Sequence, residues 1–153
     1  METATHTLRE LTLRYTAKSD DSGELVRIPH ELRTPRDSAG LLTPLLQDEA
    51  SEVFLVLLLS TRKHVLAYQE VSRGTLDSTL VHPREVFKAA ILSNAAAVIL
   101  AHNHPSGDPA PSPDDLMLTR RLAAAGQLLG IEVLDHIIVG HGRYASFKEL
   151  SLL

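Results

Sequence analysis

The sequence predicts an α/β domain built as a mixed β-sheet flanked by helices. Strand-like and helix-like segments alternate through its second half, apolar runs of strand length are separated by turn residues, and two helix starts are spelled out by capping residues. At 153 residues, 44% of them hydrophobic, the chain has the size and apolar content of one domain with a substantial core. Aromatic residues make up only 4% and tryptophan is absent, so that core must be aliphatic.

Taken in order, residues 10–17 set Leu11, Leu13, Tyr15 and Ala17 against Glu10, Thr12, Arg14 and Thr16, the period of a half-buried strand. Asp20, Asp21, Ser22 and Gly23 read as a turn, with residues 24–28 returning as a second strand. Thr34-Pro35-Arg36-Asp37 supplies a capping hydroxyl, a proline at the first helical position and an acid at the third. The helix it starts is expected to reach about Asp48, with Pro44 kinking or interrupting it. Residues 53–59 form a continuous apolar run, a strand buried on both faces, and residues 64–71 return as its antiparallel hairpin partner. A loop is expected at 74–78. Pro83-Arg84-Glu85 opens a helix through Asn94, with Val86, Ala89, Ala90 and Ile91 facing inward. Residues 97–101 are the central strand. Ser112-Pro113-Asp114-Asp115 repeats the helix-start pattern, and Gly130 stops that helix after Leu129. Two more strands, 131–139 and 143–147, surround a turn at Gly140-His141-Gly142.

Composition narrows the function classes. The net charge is −4 and the basic residues are scattered, which weighs against a nucleic-acid-binding face. No apolar run approaches the 18 or more residues of a membrane span, and the first residues have neither the basic nor the apolar region of a signal peptide. With no cysteine, disulfides and thiolate metal sites are ruled out, and the expected location is the cytoplasm.

The chemistry concentrates in His102-Asn103-His104-Pro105-Ser106-Gly107, followed by Ser112 and Asp115. Alternate strand residues point the same way, so His102 and His104 can converge just past the central strand. Asp115, in the first turn of a helix, stays ionised near the positive end of the helix dipole. Two imidazoles and a carboxylate can hold a zinc ion and leave its fourth position open, the arrangement of a catalytic rather than a structural site. The chain therefore reads as a metal-dependent hydrolase. The plainer alternative makes Ser112 and Asp115 a helix cap and the two histidines loop residues; capping and chemistry are compatible. His136, beside Asp135 in an apolar strand, reads as a partner of the site or a satisfied core residue rather than a fourth ligand.

This stretch resembles the JAMM (JAB/MPN+) metalloprotease motif in the form carried by the RadC family. Gly74-Thr-Leu-Asp-Ser, Pro83-Arg-Glu-Val and Leu134-Asp-His-Ile-Ile-Val-Gly resemble it too. The resemblance covers about residues 35–153; residues 1–34 read as an N-terminal strand extension without a recognised motif. It implies a cytidine-deaminase-like (JAB/MPN) fold, a Zn2+ site of His102, His104, Asp115 and a water, a catalytic glutamate upstream, and Ser112 steadying a tetrahedral intermediate. The glutamate is to be chosen among Glu52, Glu70 and Glu85. Glu52, just ahead of the buried strand, is best placed if that strand runs antiparallel to residues 97–101. The implied reaction is cleavage of a peptide or isopeptide bond in a protein or peptide substrate of unknown identity. A nucleobase deaminase is disfavoured because such sites use cysteine ligands. The remaining alternative is a non-enzymatic or DNA-repair-associated module that binds a metal or nucleic acid.

Overall fold

The apolar run at the centre of the sequence becomes the centre of the structure. In the computed structural model, which describes residues 1, 4–74 and 81–153, strand β1 (Glu52–Leu59) is buried at every position after Glu52. It lies between β2 (Val65–Gly74) and β3 (Ala97–Asn103), antiparallel to both, in a five-stranded sheet of order β2-β1-β3-β4-β5. Strand β4 (Glu132–Val139) runs parallel to β3 and is followed by the short antiparallel β5 (Tyr144–Ser146). A parallel pair needs a crossover, supplied by α3 (Pro113–Leu129). The other helices are α1 (Pro35–Leu46) and α2 (Pro83–Leu92). Beyond Gly74, the loop expected at 74–78 lies outside the described residues.

Alternation along β1 divides the core into two layers. Phe54, Val56 and Leu58 face α2 and α3, meeting Val86, Phe87, Leu118 and Leu122. Val53, Leu55, Leu57 and Leu59 face α1, meeting Ala39, Leu42 and Leu46. Both faces of β1 are thus covered, which is why its sequence is apolar without a break.

The capping residues act as their types predict. Thr34 accepts the Asp37 N–H and Asp37 accepts the Thr34 N–H, a closed capping box with Pro35 behind it. Helix α1 continues through Pro44 and ends at Leu46, so the proline sits in its last turn, where it breaks little. Gly130, at φ 71°, ends α3 in the left-handed conformation.

Two expectations are corrected. Ile91 is 52% exposed, because it lies about 120° around α2 from the middle of the stripe formed by Val86, Phe87, Ala89 and Ala90. Residues 10–17 and 24–28 are not strands. Asp20 closes the expected turn by accepting the N–H groups of Ser22 and Glu24, but only a single bridge, Ser19 to Leu25, joins its arms. Leu11 and Tyr15 are 80% and 61% exposed: the alternation is present, yet no sheet face covers it, and uncovered alternation does not hold a strand. Among the described residues no helix is long and apolar enough to cross a membrane.

Candidate metal centre

The site forms where β1 begins and β3 ends. Phe54 pairs with His102, so the antiparallel register carries Glu52 alongside the residues that follow β3. Asn103 fixes this edge. Its Oδ1 accepts the Val53 N–H at 2.7 Å, and its Nδ2 donates to the carbonyls of Ser51 and Glu49 at 2.9 and 3.3 Å. The peptide groups on both sides of Glu52 are therefore tied to the residue between the two histidines.

His102, His104 and Asp115 converge as the sequence predicts. The two histidine Nε2 atoms are 3.0 Å apart; that of His102 is 3.2 Å from Asp115 Oδ1, and that of His104 is 3.2 Å from Asp115 Oδ2. One donor atom from each residue, two imidazole nitrogens and a carboxylate oxygen, lies within 4.8 Å of the other two, close enough to share a single ion. Nitrogen and carboxylate oxygen also suit a divalent ion such as zinc, so donor chemistry and spacing both fit. His104 Nδ1 meets the Asp108 carbonyl at 2.8 Å. A carbonyl only accepts, so Nδ1 carries a hydrogen, and in the neutral ring Nε2 keeps its lone pair for a ligand.

Helix capping positions the third donor. Ser112 Oγ accepts the Asp115 N–H at 3.1 Å, and Asp115 Oδ2 accepts the Ser112 N–H at 2.8 Å. Cap and candidate ligand are thus the same side chain. Burial pushes the Asp115 carboxyl up, but the adjoining His102 and His104 imidazoles and the Ser112 N–H outweigh it and hold the group well below the carboxylate range. The hydrogen bond to Asp115 raises His104 above 6.5, against an opposing effect of burial; the negative charge of Glu52 adds to the rise.

A pH dependence follows, with its sign. In the metal-free chain the His104–Asp115 pair stabilises the fold fully below pH 6.5, and that contribution is lost as pH rises through the raised His104 value. A cation needs the bare nitrogen, so zinc affinity should climb as pH rises above 6.5 through the raised His104 value. Chelator competition at stepped pH measures it, and a flat profile would contradict the assignment of His104 as a ligand.

Around the triad, glycine makes room for the loop. Gly107 has φ 92°, and a Cβ on it would lie 2.5 Å from His141 Nδ1. A Cβ on Gly140 would lie 2.3 Å from the Gly107 carbonyl oxygen. Loop 105–109, which carries the Asp108 carbonyl to His104, therefore rests directly on backbone at the β4–β5 turn.

The three glutamates separate. Glu70 and Glu85 are held in ion pairs, with Arg73 and Lys88 respectively, each at 2.6 Å. Glu52, half-buried at the head of β1, is the one whose charge reaches His104. His136 is fully buried between Phe54 and Phe147, its Nε2 2.8 Å from His102 Nδ1, so it is both core residue and partner of the site. Thr119, on α3, contacts His136 and is a participant that sequence reasoning missed.

The sequence model of the RadC-like JAB domain matches residues 32–152. This chain belongs to that family. Its RadC-like relatives include proteins called UPF0758 protein from Moorella thermoacetica, 57% identical over 122 residues, and from Methanosarcina acetivorans, 49% identical over 116 residues. These matches cover 80% and 76% of this chain but 53% and 51% of the relatives. A further UPF0758 protein, from Desulfitobacterium hafniense, is 51% identical over 136 residues, 89% of this chain and 59% of its own. The chain thus spans just over half the length of the curated relatives it matches. The five-stranded sheet with its three helices is consistent with a JAB/MPN domain, and a metal-dependent hydrolase fits the RadC-like family.

Proposed function

We propose that this chain is a zinc-dependent hydrolase of the JAMM type that cleaves a peptide or isopeptide bond. The observation that carries the reading is the convergence of His102, His104 and Asp115, the histidine Nε2 atoms 3.0 Å apart and each 3.2 Å from a different oxygen of the carboxylate, beside the half-buried Glu52. His102, His104 and Asp115 would hold the ion, which when bound supplies Lewis acidity to an attacking water and to the substrate carbonyl. Glu52 takes the proton from that water and delivers it to the leaving nitrogen. Ser112 Oγ already accepts the Asp115 N–H, which leaves its own hydrogen free to donate to the carbonyl oxygen as negative charge builds there. A donor of that kind contributes about 2.7–4 kcal/mol at comparable sites. The substrate is a protein or peptide, and the expected place of action is the cytoplasm.

The test is zinc content of the purified full chain, followed by cleavage profiling on mixed peptide and isopeptide substrates. One zinc per chain and amide cleavage that stops on chelation and returns with zinc are expected. A zinc-loaded chain that cleaves no amide bond would remove the peptidase reading and leave the metal site.

A further inference from the structure

Two side chains outside the ligand triad form a hydrogen-bond relay whose direction is forced from one end. Thr119 Oγ1 lies 2.7 Å from the Asp115 carbonyl, one helical turn back along α3. A carbonyl can only accept, so the single hydroxyl hydrogen of Thr119 goes there. The same oxygen lies 2.6 Å from His136 Nδ1 and, its hydrogen spent, must accept. Nδ1 of His136 therefore carries the hydrogen and its Nε2 is bare. That bare nitrogen is 2.8 Å from His102 Nδ1, so His102 donates there and keeps its own Nε2 lone pair for the triad. Three buried side chains, Thr119, His136 and His102, each at most 2% exposed, thus transmit the polarity of one peptide carbonyl to a ligand nitrogen.

We propose that Thr119 and His136 are positioning residues that hold His102 in the tautomer and orientation a metal ion requires, a role that rests on the triad being a metal site. His104 reaches the same state directly, through the Asp108 carbonyl; His102, buried in the sheet, has His136 at its Nδ1 and reaches a carbonyl through two intermediaries. Outer partners of metal-bound histidines commonly govern affinity by about 10–100-fold. The ring of Phe54 stacks on His102 and that of Phe147 on His136, which keeps the relay planes fixed and dry.

Two measurements on the full chain test this. Long-range proton–nitrogen NMR of the metal-free wild type at pH 8 reads the tautomers: His136 should carry its hydrogen on Nδ1, and His102 likewise. Zinc affinity by chelator competition should fall about 10–100-fold in Thr119→Val, which keeps the shape and loses the hydroxyl, and should return in Thr119→Ser. A His136 hydrogen on Nε2 overturns the relay whatever the variants do. Unchanged zinc affinity in a folded Thr119→Val, or equal loss in Thr119→Ser, overturns the positioning role. A wild-type chain that takes up no zinc overturns the metal reading, and with it the positioning role, while the nitrogen signals still decide the relay's direction.

Discussion

His104→Ala is expected to leave a folded protein that no longer retains zinc. Histidine 104 sits half-buried on the rim of the site and bonds outward to a loop carbonyl, so truncating it opens space toward solvent rather than a cavity in the core. The ligand set drops from three protein donors to two. The loss of affinity should exceed the factor of about 10–100 that removal of an outer hydrogen-bond partner causes. Asp115 would be a less clean choice: it also closes the capping box of α3, and loss of a cap costs about 0.5–2 kcal/mol. Metal analysis of the purified variant, with circular dichroism as the folding control, reads the result. Wild-type zinc content in His104→Ala would disprove the ligand set.

Glu52→Gln should separate chemistry from binding. Glutamine matches the shape of glutamate but is no proton acceptor of comparable strength, and Glu52 stands beside the triad rather than in it. Turnover of a cleaved amide substrate is expected to fall by about 10²–10⁴-fold, with zinc content and KM little changed. Loss of zinc in the variant would instead make Glu52 a ligand. An unaffected rate would send the search for a base elsewhere, although Glu70 and Glu85 already serve Arg73 and Lys88.

Much of this arrangement was legible before any coordinates, because the signals involved are local. The Thr34 and Ser112 caps lie within three residues of their partners, and β1 and β3 announce their burial by unbroken apolar runs. The spacing of His102 and His104 at the end of a strand foretold their convergence, and β1 pairs antiparallel with β3, the condition on which the choice of Glu52 rested. What escaped depends on packing between distant segments. Thr119 looks like an ordinary helix threonine with a hydrogen bond to its own backbone, and only the seating of α3 against β4 brings it to His136. Asn103 sits in the motif with no local sign of its reach; its bond to Val53 spans 50 positions of sequence. The alternation at residues 10–17 illustrates the opposite failure, a local pattern for which no covering surface exists among the described residues.

The capping box at Ser112 and Asp115 has a consequence for how an ion is gained and lost. Small zinc modules with no other means of ordering their ligands collapse when stripped of metal. Here a helix start, a loop carbonyl and a sheet register have ordered the donors already, at an entropic cost met when the polypeptide folds. Loading and unloading of the proposed ion would then require no refolding, so its occupancy would follow the surrounding supply, and a stripped molecule would stay a ready acceptor.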